Sequence, residues 1–257
     1  MIAMACRFLN LNIYKGKYLP KIIEFVKQER FDLVHFQEVS GGSISQDQAH
    51  DDFRTLSQEL ALQGKLASAM GIKGDSQAYF GNATFFNPTK FKLIKTQVLR
   101  LSPYQELENY ETRRIEDDPR CALIMTFKTG AKQITTINTH LAWGPRPDDK
   151  PYKVKQACIL LDFVKKLKSP FILSGDFNLA PDTQIVQSFD EIGRNLSLEQ
   201  GLTNTLNPQI HRVKNLFPAG LLVDYVYVSQ GVKIERFEVK PIDLSDHYPS
   251  VAAFSLT

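Results

Sequence analysis

Two short segments carry residue types that can do chemistry together: Gly175-Asp176-Phe177-Asn178 and Ser245-Asp246-His247. Each holds a carboxylate with a second polar residue, groups able to bind a metal or carry a proton. A histidine beside a second carboxylate can donate a proton or neutralise developing negative charge. Residues of the same kinds end apolar, strand-like runs elsewhere: Asn12 follows 7–11, Gln37-Glu38 follow 32–36, Asn138-Thr139-His140 follow 134–137, and Asp224 sits just inside the run 221–228. If these run ends converge, they make one acidic, histidine-containing pocket at the edge of a sheet. An unpaired carboxylate inside an apolar strand is costly, so Asp224 needs a partner, and His247 is the obvious one. Such a pairing raises the pKa of the ring and fixes its orientation, leaving a protonated imidazole able to donate to an anionic oxygen. Each residue also has an ordinary reading. Glu38 suits a helix cap or the surface, Gly-Asp-Phe-Asn suits a tight turn bonded to its own backbone, and His140 suits a hydrogen-bonded core.

The elements that must position these residues are legible as patterns. Apolar runs rich in β-branched and aromatic residues predict strands at 7–14, 32–39, 82–86, 93–101, 122–127, 134–141, 171–174, 223–229 and 250–254. Helical spacing appears at 19–28, at 51–62 through Phe53, Leu56 and Leu60, at 153–167 through Cys158, Leu161 and Val164, and at 183–192. Four strand candidates follow one another between 82 and 141 without a helix, which does not suit a doubly wound parallel sheet. The expectation is an α/β (α+β) chain with two packed mixed β-sheets flanked by helices, a four-layered α/β-β/α sandwich. No repeat or linker interrupts 1–257, so a single domain is expected. The long irregular stretches 40–49, 102–120, 142–152 and 204–221 are of a length that more often serves function than mere connection.

With 257 residues, 43% of them hydrophobic, the chain can bury a substantial core; its net charge of +3 tolerates a polyanion but falls short of a DNA-coating protein. Cys6, Cys121 and Cys158 form no CxxC pair and read as reduced core residues. No signal-peptide pattern or membrane-length apolar run is evident, so a cytoplasmic protein without a membrane anchor is expected; a monomer is expected as well.

In order along the chain, Asn12-Ile13-Tyr14-Lys15-Gly16, Phe36-Gln37-Glu38-Val39, Gly81-Asn82-Ala83, Arg120 before a strand, Asn138-Thr139-His140-Leu141, Gly175-Asp176-Phe177-Asn178, Val223-Asp224-Tyr225 and Ser245-Asp246-His247 resemble the endonuclease/exonuclease/phosphatase superfamily, the fold group of deoxyribonuclease I. The resemblance spans nearly the whole chain. It implies Glu38 as principal metal ligand with Asn12 and Asp246 beside it, for Mg²⁺ or Mn²⁺. It implies Asp176 as the carboxylate that orients or deprotonates water, Asn178 as the amide holding the phosphate, His247 on the scissile phosphate oriented by Asp224, and His140 as a second histidine. The reaction implied is in-line attack of water on phosphorus, without a covalent intermediate. Tyr14 stands where the apurinic endonuclease branch has an Asp, which argues against that branch.

The loops should choose the substrate. Arg113, Arg114, Arg146, Lys150, Arg212 and Lys214 are candidate phosphate contacts, Trp143 or Phe217 a stacking platform, and Asn82 and Arg120 further substrate contacts by the resemblance. The expected substrate is a phosphodiester of nucleic acid or nucleotides. A small phosphorylated molecule or a phospholipid headgroup remains open, although no amphipathic membrane-binding segment is evident. A non-catalytic binding module on the same fold is the alternative of a different class; a dinucleotide-binding domain is disfavoured because no GxGxxG follows the first strand.

Overall fold

The structure, a computed structural model, describes residues 5–45, 50–212, 215–218 and 220–257. Lys214, the first four residues and part of the 40–49 stretch lie outside the described residues. In chain order the principal elements are β1 (Cys6–Asn12), α1 (Leu19–Glu29), β2 (Leu33–Gly41), α2 (Asp52–Glu59), β3 (Gln63–Ile72), β4 (Asp75–Phe86), β5 (Lys92–Arg100), β6 (Gln105–Leu107), β7 (Cys121–Thr129), β8 (Lys132–His140), α3 (Pro151–Val164), β9 (Phe171–Asp176), α4 (Gln184–Asp190), β10 (Arg194–Asn195), α5 (Leu196–Glu199), β11 (Asp224–Val228), β12 (Val232–Val239) and β13 (Ser250–Leu256). They form two mixed sheets, ordered β12-β13-β1-β2-β4-β3-β6 and β10-β11-β9-β8-β7-β5. Helices α1 and α2 pack on the outside of the first sheet; α3 and α4 pack on the outside of the second. This is the expected four-layered sandwich. Among the described residues, no helix is long and apolar enough to cross a membrane.

The period of two along a strand explains how the layers separate. In β1, Leu9 and Leu11 face the helices, while Cys6 and Phe8 face the opposing sheet. The inward residues then change character along each central strand. They are apolar at one end (Phe8, Leu33, Ile134, Ile172, Val228), where the sheets share one core. Amides, a hydroxyl and a histidine follow midway: Asn10, His35, Gln37, Asn138 and Ser174, all buried. These bond across the gap. Ser174 Oγ lies 2.8 Å from His35 Nδ1 and donates to Asn10 Oδ1 at 2.8 Å, and Gln37 Nε2 donates to Asn138 Oδ1 at 2.7 Å. Beyond them, at the far end of the same rows, stand Asn12, His140, Asp176 and Asp224.

Two sequence expectations need correction. Cys6 and Cys121 are buried, but Cys158 is exposed. The buried face of α3 is Lys153, Gln156, Ala157, Leu160 and Val164, so the apolar spacing through Cys158 and Leu161 marks the wrong phase. The true stripe begins with polar side chains that serve the site. Strands β3, β6, β10 and β12 and the short α5 were not anticipated. The sequence of β3 is rich in Gly and small residues, whereas β12 is an edge strand whose alternation of apolar and charged residues is broken by a bulge between Ile234 and Arg236.

Candidate active site

Strand register aligns three of the expected residues. His140 of β8 pairs with Asp176 of β9, and Asp176 with Asp224 of β11, so all three stand at one level of the sheet. Gly175 is required for this: its φ is +154°, and a Cβ there would lie 1.8 Å from the Thr139 carbonyl oxygen. Asp176 is 2% exposed. Its Oδ1 accepts the backbone N–H of Asn178 at 2.9 Å, the turn-type bond anticipated for Gly-Asp-Phe-Asn. Its Oδ2 accepts the Asn12 amide at 3.1 Å and lies 3.5 Å from His140 Nε2 and 3.7 Å from His247 Nε2. Burial pushes the Asp176 carboxyl up to about 7; His247 opposes the shift, and Asp224 and Glu38 reinforce it. Asn178 is left-handed (φ 52°), and its side-chain amide donates to the Leu141 carbonyl at 3.1 Å.

His247 Nδ1 lies 2.8 Å from Asp224 Oδ2. Burial disfavours charge on this ring, but Asp224, Asp176 and Asp246 together outweigh it, and the pKa is raised well above 6.5. His140 shifts the other way: burial and the nearby Arg120 hold it well below 6.5, hence neutral. The segment before β13 is pinned by Ser245, whose hydroxyl donates to the Asn12 carbonyl at 2.6 Å and lies 3.1 Å from Asp246 Oδ1.

Glu38 reaches the same place through a bulge. The β2–β4 register slips between Phe36 and Val39, and Glu38 takes φ 56°. Opposite the slip, Gly81 leaves no room for a Cβ, which would meet the Ala67 carbonyl oxygen at 1.9 Å. Asp246 is held up at about 6, chiefly by burial, with Glu38 adding to the shift and His247 opposing it. A buried Asp246 whose ionisation Glu38 makes costlier, with no ammonium or guanidinium paired to it among the described residues, suits a hard divalent cation held between the two carboxylates. Asn12 fits beside them less freely, since its Oδ1 already accepts the Tyr14 N–H at 3.0 Å. Two further groupings hold ligand atoms within 4.8 Å of one another: His211, Asp246 and His247; and Asp176, Asp224 and His247.

These residues surround a cavity of about 300 Å³. Glu38, Asp176, Asn178, His140, Asp246, His247, Arg120 and Trp143 line it; Asn12 and Asp224 stand behind, bonded to Asp176 and His247. Asn82 does not line it. Its amide donates to the Cys121 carbonyl at 2.8 Å and so ties the two sheets together. Of the basic loop residues, Arg113 and Arg212 line the cavity, whereas Arg114, Arg146 and Lys150 do not. Phe217 and Trp143 line a smaller adjoining cleft of about 30 Å³, too small for a base in this conformation. Lys15, Tyr110, Glu111 and His211 also line the main cavity. All four lie inside segments that the sequence singles out, although His211 carries no pattern of its own.

Lys153 was legible only as part of a helix. It is fully buried, and its ammonium donates to the Asn178 and Arg146 carbonyls, both at 2.9 Å. It thereby joins α3 to the turn carrying Asn178 and to the loop carrying Trp143. Burial lowers its pKa to about 8. Replacing Lys153 by Met leaves both carbonyls unsatisfied, and kcat is expected to fall about tenfold as Asn178 loses its support. Steady-state kinetics with a circular-dichroism melt checks this; an unchanged kcat in a folded variant would count against it.

Comparisons with known proteins bear on the family and the fold. The family model described as Endonuclease/Exonuclease/phosphatase family matches residues 9–247. A protein of Vairimorpha ceranae named "Probable CCR4-Not complex 3'-5'-exoribonuclease subunit Ccr4" is 30% identical over 155 residues, which are 53% of this chain and 32% of that one. The corresponding subunit of Yarrowia lipolytica is 28% identical over 185 residues, 66% of this chain and 24% of that one. The chain thus aligns with a third or less of these relatives' length. Among solved structures, the human Nocturnin catalytic domain with bound sulfate superposes with a TM-score of 0.72 at 20% identity, covering 98% of this chain and 95% of that one. ANGEL2, titled a 2',3'-cyclic phosphatase in complex with adenosine-2',3'-vanadate, superposes with a TM-score of 0.73 at 17% identity, covering 100% and 97%.

Proposed function

Because the chain belongs to the Endonuclease/Exonuclease/phosphatase family, we propose that it is a divalent-metal-dependent phosphoester hydrolase, a phosphodiesterase of nucleic acid or nucleotides working as one domain and as a monomer. The observation that carries this reading is a buried acid and a charged imidazole side by side. A buried Asp176, pushed up to about 7, lies 3.7 Å from an imidazole that Asp224 keeps charged. A base and a charge stabiliser within reach of one phosphoryl group are what hydrolysis of a phosphoester needs.

Asp176 takes the proton of the attacking water, its second oxygen being fixed by the Asn178 N–H. His247, protonated and locked by Asp224, donates to a phosphoryl oxygen as negative charge accumulates there. The Asn178 amide turns from the Leu141 carbonyl toward the phosphate, and neutral His140 holds the near edge of the same group. Glu38 and Asp246, with Asn12 beside them, would hold Mg²⁺ or Mn²⁺, which supplies positive charge to the phosphoryl oxygens. The names of the Ccr4 relatives and the adenosine-2',3'-vanadate complex support nucleic acid or nucleotides over lipid headgroups. So do Arg113, Arg120 and Trp143 at the cavity wall.

The test is a panel of single- and double-stranded DNA, RNA, abasic DNA, nucleotides, sphingomyelin and inositol phosphates with Mg²⁺, Mn²⁺ or EDTA. Turnover of a nucleic acid or nucleotide is expected, lost by at least about a hundredfold on chelation. Turnover undiminished by EDTA would remove the metal from the mechanism. Absence of turnover on every phosphoester, together with retained binding, would leave a non-catalytic module.

A further inference from the structure

One part of the cavity wall is built of cations that the reaction above does not use. We infer that Lys15, Arg113 and Arg120 form a second anion subsite, which takes a phosphate of the substrate other than the one cleaved. The inference rests on the phosphoesterase reading for its substrate, and names the class: a nucleotide, or an oligonucleotide end, bearing a phosphate next to the scissile bond.

Lys15 is the central residue. It is 8% exposed, lines the cavity, and its ammonium lies 4.7 Å from the centroid of the Tyr110 ring. Glu38 and Glu111 act on it electrostatically, yet among the described residues no carboxylate oxygen lies within 4 Å of it. A buried ammonium without a close counter-ion is costly, and burial accordingly lowers its pKa. The backbone is distorted to place it: Tyr14, Lys15 and Gly16 are left-handed in succession, with φ 52°, 50° and 69°. Only the third is glycine, so two side-chain-bearing residues occupy a sparsely populated region, and such strain clusters at ligand sites. Gly16 has no choice, because a Cβ there would lie 2.0 Å from Asp52 Oδ1.

The two guanidinium groups line the same cavity. One carboxylate serves both: Asp118 Oδ1 accepts Arg113 Nε at 3.0 Å, and Oδ2 accepts Arg120 Nη2 at 2.7 Å. Arg113 is further fixed on the Tyr110 ring at 3.8 Å and by a bond from Nη1 to the Tyr110 carbonyl. Arg120 is 3% exposed, and its Nε and Nη1 have no hydrogen-bond partner. Rigid guanidinium groups with spare donors and a point-charge ammonium together match the oxygens of a phosphate. The reacting phosphate is already served by His247, Asn178 and the Glu38–Asp246 end. A cavity of about 300 Å³ admits little more than a mononucleotide, so the second phosphate must lie close to the first.

The experiment compares adenylyl-adenosine, in ribo and deoxy form, with the same dinucleotides phosphorylated at the 5' or 3' end. In the wild type one phosphorylated form should exceed the plain dinucleotide in kcat/KM by at least about tenfold, and Lys15→Met should bring that ratio below about threefold, as should Arg113→Met. Equal kcat/KM for all three in the wild type, or an unchanged ratio in both variants, overturns the subsite while leaving the hydrolase reading intact. If no dinucleotide is cleaved, the substrate panel above decides the reaction and calorimetry decides the subsite alone. Inorganic pyrophosphate should then bind the wild type at least about tenfold more tightly than Lys15→Met; equal affinity rejects it.

Discussion

Replacing Asp176 with Asn should lower kcat by at least about a hundredfold on any substrate the enzyme cleaves, since a positioned general base contributes about 10² to 10⁴. The substitution keeps the shape of the side chain. An amide oxygen can still accept the Asn178 N–H now made to Oδ1, so the turn should survive while the proton acceptor is gone. The pH profile gives an independent check. Asp176 must be ionised to act, so wild-type activity rises with pH through its pKa, which is about 7 without a cation and lower with one at Glu38. That acid limb should be missing from the residual activity of the variant. Single-turnover rates in Mn²⁺ measure both effects, and a variant within tenfold of wild type would remove Asp176 from the role of base.

His247→Ala should be as damaging, by at least about a hundredfold, because it removes the positively charged side chain assigned to the phosphoryl oxygens. The alkaline limb reports its state. The charged ring is held by Asp224, Asp176 and Asp246 against the opposing effect of burial, and its pKa lies well above 6.5. Activity that depends on the imidazolium therefore persists through neutral pH and is lost as pH rises through that higher value. Asp224→Asn withdraws the bonded carboxylate, so the limb should move toward neutral by at least about one unit, with a smaller loss of rate at pH 6 than at pH 8. A limb that stays in place in Asp224→Asn would mean that some other group titrates. Wild-type-like rates in His247→Ala would end the mechanism.

The residues at strand ends were the most legible part of the site, because a polar residue closing an apolar run is a local signal. Asp176, His140 and Asp224 could each be picked out that way, although their shared level depends on strand pairings that no local pattern contains. Asp224 was the most informative, since a carboxylate inside an apolar strand demands a partner and His247 stands against it. Long-range geometry was opaque. The β2 bulge that turns Glu38 toward the cavity is opposed by Gly81, which had been read only as part of a motif. Asn82 could not be told from a substrate contact, because whether its amide meets a ligand or the Cys121 carbonyl depends on how the sheets stack. Lys153 was hidden for a different reason: a lysine at the start of a helix reads as solvated, and only burial beneath two carbonyls gives it a structural task.

The inward faces of the central strands, apolar at one end and acidic at the other, have a consequence for what selection can keep. An acid whose pKa is raised by folding weakens the folded chain as pH climbs from the unfolded value, 3.8, through about 7, and Asp176 is such an acid. The far end, where Phe8, Leu33, Phe127 and Ile172 share one core, supplies the tolerance that this destabilising end consumes. Asp176→Asn should accordingly melt at or above the wild-type temperature at pH 8. Inactive descendants of this sequence would lose their acids first and keep their shape longest, drifting toward hardier, idle copies of the same sandwich.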